Sequence, residues 1–373
     1  MDNITKIGTL EAICFLVIVM INRVILNNPK EIVDSVGASA WINVIAISVF
    51  AIFFVLLISK LYKNFIGKDI LDVSEYLGGK VLKKIVCVIF GLILLYIAAL
   101  VLRNFSDSLQ KIFMTDAPVT YIMLFFLIGM IIVNKLGFST IVKINMLNII
   151  LIFLSILVIS IAPIKFYDIS NIFPVFGNGV DETFFSGLTN IYVFSGIGYL
   201  YFIMPYLDKP QKFQKLAIIS IIISSIYLLL SVLSLVGLFS YLITSDDFFS
   251  VLLITRIISF GNVFDRVDAI FLLVWILTFL IYLSFILYFS LYLYKNLVNN
   301  SEQNGTIYMI STLIFALGLL PENVIEINFL ENKILKYIIL VFLFILPLIL
   351  FILANLKYNR KNKLQVKRRE IEL

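Results

Sequence analysis

Ten long apolar stretches dominate this chain, at about 9–26, 40–59, 85–103, 118–134, 141–162, 184–206, 216–240, 263–294, 306–320 and 336–356. Most match the roughly 20 residues a helix needs to cross about 30 Å of hydrocarbon. The eighth is longer than needed and is expected to tilt or to extend past the bilayer. No polar domain interrupts them. Composition agrees: 61% of the 373 residues are hydrophobic and only 14% are charged, against about half and about a quarter in soluble domains. So much apolar surface needs lipid around it. A membrane barrel is excluded, because barrels show short alternating segments. The sequence therefore predicts an all-α polytopic membrane protein of about ten transmembrane helices.

Several chemistries drop out at once. The chain has no histidine, so imidazole bases, relays and metal ligands are absent. Cys14 and Cys87 both fall inside apolar stretches without metal-ligand spacing and read as small core residues. No metal, cofactor or catalytic group is expected. No small-residue cleavage site follows the first stretch, which reads as a retained helix.

Lys and Arg placement sets the orientation. With the N-terminus inside, the inner face collects Lys6, the 60–84 loop, Lys135, Lys143, Lys209, Lys212, Lys215, Lys295 and the tail, 20 of the 29 basic residues. Asp246, Asp247, Glu322, Glu326 and Glu331 then face outward. Both termini are expected on the cytoplasmic side. The tail "KYNRKNKLQVKRREIEL" reads as a topology determinant that attracts anionic lipid headgroups, with no nucleic acid as its partner.

Ten helices divide into five and five: 1–165, 166–356, and a basic tail 357–373. An odd number per half inverts the second half relative to the first. Inverted-repeat transporters share that arithmetic, and their site forms where the first helix of each half is broken. Interruptions occur at both points. The sixth span, "FFSGLTNIYVFSGIGYLYFIMPYLDKP", carries Ser195, Gly196 and Gly198 near its middle. There small residues permit unwinding or, alternatively, close helix packing. The first span carries Asn22 and Arg23 at the corresponding place.

Charges within membrane spans are costly and default to functional candidates. Arg23, Arg103 and the "FDRVDAIFLLVW" stretch with Asp265, Arg266 and Asp268 all map to the outer half. Asp265, Asp268 and Trp275 share one helical face, while Arg266 points elsewhere and needs a partner on another helix. Tyr96, Ala99, Arg103 and Asp107 form one stripe on the third span. Arg103, Asp265, Arg266 and Asp268 are read as a charge network. Snorkelling into the headgroups is the rival for the first three, and a structural ion pair the rival for Asp268.

The stretches "VGASAWI" (36–42), "LVLRNF" (100–105), "PVFGNGV" (174–180), "MPYLDKPQK" (204–212) and "ISFGNVFDRVDAIFLLVW" (258–275) together resemble the spore permease family. Its members are B subunits of nutrient germinant receptors within the amino acid–polyamine–organocation superfamily. The resemblance implies a LeuT-like inverted repeat in the spore inner membrane, beside an A subunit and a lipoprotein C subunit. It implies a germinant, commonly an amino acid, bound between the broken first and sixth helices, with germination following a conformational change. Departures occur near that pocket. Asn22, Arg23 and Val24 replace a Gly-rich break, Ser39 replaces an aspartate, and Phe184 to Leu207 contains no acidic residue.

The expected ligand-binding set is Asn22, Arg23, Tyr96, Ser195, Gly196, Gly198 and Trp275. Arg23 would supply positive charge for a carboxylate, or else pair with Asp268 or snorkel outward. An ion-coupled amino-acid transporter of the same fold is the alternative function, and a scaffold that binds nothing is the third.

Overall fold

The computed structural model describes residues 6–22, 28–239, 254–255, 267–298 and 303–371. Among the described residues seven helices are long and apolar enough to cross a membrane, and three further apolar helices, Thr9–Ile21, Val119–Lys135 and Gly305–Gly318, are shorter. Among the described residues the only strand-like pairing is an isolated bridge between Ile7 and Leu207.

Helix α1 (Thr9–Ile21) starts at a capping box, in which Glu11 reaches back to the Gly8 N–H at 2.7 Å. Its described length is about 20 Å at 1.5 Å per residue. Every residue from Cys14 to Asn22 is buried. Residues 23–27, where the sequence predicts the interruption of the first span, lie outside the described residues. The chain is next described in α2 (Asn28–Val36), with Pro29 in its first turn, where the missing N–H is harmless.

The segments α3 (Ala40–Tyr62), α5 (Val119–Lys135) and α6 (Phe138–Ile161) coincide closely with the expected spans. Helix α4 (Ile70–Phe113) is far longer than the 85–103 read from hydropathy. Its first turns form an arm, set off by non-helical backbone at Gly78 and Gly79. Gly79 has φ +71°, a left-handed conformation that glycine adopts without steric cost. Asp69 caps the arm by accepting the Asp72 N–H at 2.8 Å.

The sixth segment departs most from a regular helix. After α7 (Val180–Phe184), residues Ser186–Tyr199 wind as a 3₁₀ helix of 14 residues, with non-helical torsions at Phe194. Runs beyond three or four residues are uncommon and mark strain or a hinge. The segment closes with α8 (Leu200–Ile203).

Helices α9 (Phe213–Leu238), α10 (Val267–Val298) and α11 (Gln303–Gly318) follow. The last rod comprises α12 (Val324–Phe329), a π segment over 330–335, α13 (Lys336–Ile339), a second π segment over 340–345 and α14 (Leu346–Ile371). The basic tail is thus a direct helical continuation of the last span.

Helix α1 lies at the centre, packed against α6, α9 and the 3₁₀ segment. Below its midpoint the core is aromatic. Phe15 meets Phe285 at 4.6 Å, Phe138 at 5.9 Å and Tyr199 at 5.7 Å between ring centroids. Edge-to-face pairs of this kind contribute about 0.5–1.5 kcal/mol each beyond burial, and here they form a layer around the middle of α1.

Candidate functional site

The end of α1 meets the kink of the sixth segment. A Cβ built on Gly196 would lie 2.6 Å from Met20 Cγ and 2.9 Å from both Met20 N and Val19 C. Only glycine permits this approach. Gly198 faces Leu343 of the second π segment, where a Cβ would sit 3.1 Å from a methyl carbon. Both glycines act here as packing positions, and Ser195 is buried beside them. One turn below, Tyr199 is buried with its hydroxyl unpartnered.

Asn22 is 2% exposed, and its Nδ2 has no hydrogen-bond partner. Its backbone N–H still donates to Ile18 O at 3.1 Å. Arg23 lies outside the described residues, as do Asp265 and Arg266. Trp275 is buried against Phe271 at 5.0 Å, with its indole Nε1 unpartnered. Asp268, two turns earlier on α10, is half-buried. Unpaired buried donors are rare in folded proteins, and Asn22 Nδ2 and Trp275 Nε1 are two of them.

The third-span stripe is present as spaced. Arg103 Nε donates to Asp107 Oδ2 at 3.1 Å on its own helix, and Nη1 reaches Gly318 O at 3.5 Å. Tyr96 OH donates to Leu330 O at 3.4 Å, a carbonyl at the first π segment. Next to it, Asn104 donates to Glu331, and both are buried. Glu331, grouped by sequence with the outward-facing acids, is drawn inward by the wide π turn and this amide.

Around Asn190, at the start of the 3₁₀ segment, a polar network fastens several elements together. Asn190 donates to Ser35 Oγ at 2.8 Å and Asn43 Oδ1 at 3.0 Å, and accepts from Lys336 Nζ at 3.1 Å. Asn43 donates to Thr183 O at 2.8 Å, and the Ser39 and Thr183 hydroxyls are 2.8 Å apart. Lys336 also stands 5.2 Å from the Tyr192 ring centroid.

At the start of α1 the two segments are joined directly. Ile7 N–H donates to Tyr206 O at 2.8 Å, Ile7 O accepts from Asp208 N–H at 3.1 Å, and Lys6 Nζ donates to Pro205 O. The site is thus latched above and below, with a buried polar middle.

Sequence reasoning missed Asn145, Asn148 and Thr278. Asn145 is fully buried with both amide atoms unpartnered, and Asn148 Oδ1 is likewise unpartnered. The signal lay in an otherwise apolar helical stripe, Ile141, Asn145, Asn148, Ile152 and Ile156. Among the described residues no group of three or more Cys, Asp or Glu side chains is arranged to hold a metal ion.

A sequence profile of the spore permease family, described as "Spore germination protein", matches residues 6–327. The chain is 26% identical over 340 residues to spore germination protein KB of Bacillus subtilis (strain 168), covering 88% of this chain and 89% of that one. It is 20% identical over 358 residues to spore germination protein YndE (94% and 97% covered). It is 22% identical over 359 residues to spore germination protein A2 (94% and 96%), both from the same organism. With seven helices fit to cross a membrane and a match over most of its length, the chain belongs to the spore permease family of spore germination proteins.

Proposed function

We propose that this protein is the membrane-embedded, ligand-binding B subunit of a spore germinant receptor, working with A and C subunits in the spore inner membrane. On this reading the seven long and three short apolar helices form ten spans, arranged as two inverted five-helix halves (1–165 and 166–356). Both termini and the basic tail face the spore core. A small nutrient, an amino acid, occupies the chamber above the aromatic layer. Asn22 and Arg23 meet it from the interrupted first helix, Ser195 from the sixth segment, and Tyr96 and Trp275 from the third and eighth. Gly196 and Gly198 set the helix spacing that shapes the chamber. Arg103 with Asp107, and Asp268 with Asp265 and Arg266, form the charge layer above it.

The observation that carries the reading is Asn22. A buried side-chain amide whose Nδ2 has no partner is costly in a membrane interior, and a wet or occupied cavity beside it supplies the missing acceptor. The test is germination of a deletion strain against a panel of amino acids, complemented with wild-type, Arg23→Lys and Arg23→Gln chains. A germinant whose half-maximal concentration rises at least tenfold with Arg23→Gln, and less with Arg23→Lys, supports the role. An unchanged half-maximal concentration removes Arg23 from the site.

Glu331 favours one further reading, an ion-coupled transporter, since a buried carboxylate beside the Tyr96 contact offers a titratable group. A receptor predicts no concentrative uptake of the radiolabelled germinant in vesicles. Uptake abolished by Glu331→Gln favours the transporter.

A further inference from the structure

Ring contacts fix the heights of the buried polar groups. Phe15 of α1 meets Phe138 of α6 and Phe285 of α10. From that layer α1 climbs past Tyr199 to Gly196. Helix α6 climbs from Phe138 to Asn148, whose Nδ2 donates to Thr278 Oγ1 at 3.0 Å. Seven residues on from Phe15 is Asn22; seven on from Phe138 is Asn145; seven back from Phe285 is Thr278. Each therefore lies about 10 Å above the aromatic layer at 1.5 Å per residue. They share one level, that of the last described residue of α1.

The chemistry at this level is uniform. Asn145 offers a free donor and a free acceptor, Asn148 a free acceptor and Asn22 a free donor. Thr278 donates onward to Val274 O at 2.7 Å. Among the described residues, no carboxylate or ammonium on the buried faces of α1, α6 and α10 lies within two turns. Glu11 is three turns below Asn22, Asp268 nearly three turns above Thr278, and Lys143 is exposed. A fully buried amide without partners costs about 1–3 kcal/mol per unmet group, and a purely apolar occupant would leave that cost in place.

We infer that the α6–α10 wall of the chamber is a subsite for an uncharged hydrogen-bonding group, a carboxamide or a hydroxyl, and that the nutrient is an amino acid whose side chain carries one. This rests on the proposed amino-acid chamber. Asn145 is the central contact, because it alone pairs with a group that both donates and accepts.

The test is isothermal titration of the purified full chain with two near-isosteric pairs, L-threonine against L-valine and L-asparagine against L-leucine. The polar member of a pair is expected to bind at least tenfold more tightly, because a site built to hydrogen-bond rejects the analogue lacking that group. Asn145→Leu should abolish that preference and leave valine and leucine within twofold. Asn145→Thr, which keeps a hydroxyl and less bulk, should retain part of it, and it decides the matter if Asn145→Leu does not fold. Equal binding within each pair overturns the subsite while the amino-acid chamber stands. A uniform loss of affinity for all four in Asn145→Leu does the same, as does preserved preference, which would mean that Asn145 meets only ordered water. Binding of none of the four overturns the chamber as well.

Discussion

Asp69 is a carboxylate placed where charge is expensive. It lies between the second span and α4, is 1% exposed, accepts the Asp72 N–H and the Tyr292 hydroxyl, and stands beside Asp72. Burial is the main cause raising its pKa to about 6 from the ordinary 3.8, with Asp72 adding to it; the Tyr292 and Asp72 hydrogen bonds and Lys83 oppose it. The folded state thus holds a proton that the unfolded chain has released between about pH 4 and 6. Stability from this group is full below pH 4, falls as pH rises through 6 and stays low above, by at most about 3 kcal/mol for the 2.2-unit difference. Asp69→Asn keeps the cap and should flatten the unfolding midpoint of the purified protein between pH 4.5 and 7; an unaltered slope refutes this assignment. Gly196 makes a steric prediction. A methyl group there strikes the Met20 backbone, so Gly196→Ala should destabilise by about 1–3 kcal/mol. Gly305, in a helix with open space beside it, should gain up to about 1 kcal/mol as alanine, and thermal unfolding ranks the two.

Elements differ in how openly the sequence declares them. The arm at the start of α4 ends at Leu77, where Lys357 of α14 donates to Tyr76 O at 2.8 Å and Leu77 O at 3.0 Å. Here a cation meets the negative end of a short helix. Lys357→Met should speed amide exchange across residues 74–78 about threefold, for about 0.6 kcal/mol, whereas Lys361→Met, equally exposed, should not. Equal rates in both variants remove the docking role. The long apolar helices were legible because apolar length alone determines them, and the stripe of Tyr96, Arg103 and Asp107 because helical spacing places them on one face. The winding was not legible. Nothing local distinguishes Ser186–Tyr199 as 3₁₀ or 330–335 and 340–345 as π. There the neighbours decide: Tyr201 OH takes Leu343 O at 2.7 Å and Tyr96 OH takes Leu330 O, supplying donors to the carbonyls of these wide turns. Asn145 was hidden for a related reason. One amide in an apolar helix reads the same whether it faces lipid, a partner or a chamber, and only the packing of α6 against α1 and α10 decides.

At the scale of the whole molecule, the first segment and the sixth run against each other through the centre, and the sixth is tied at both ends. The larger tie is the Asn43, Thr183, Asn190 and Lys336 network, which joins the sixth segment to α3 and to the last rod. The tie to the first segment is smaller: two backbone hydrogen bonds at Ile7 and the Lys6 contact, backed by the Phe15 layer. Asymmetry of this kind makes the Ile7 end the weaker closure, and opening is expected to begin there. Cys14 reports on it without engineering a probe, since it lies in α1 one residue below Phe15 and is buried. Ile7→Pro removes the N–H that meets Tyr206 O, at a cost of about 1–1.5 kcal/mol, roughly a tenfold rise in the open population. Maleimide labelling of Cys14 in sealed inside-out vesicles should therefore quicken by about that factor. Cys87, buried in α4 away from the bridge, should keep its rate. Equal acceleration at both thiols would mean general loosening, and no acceleration at Cys14 would mean that the aromatic layer alone holds the inner end shut.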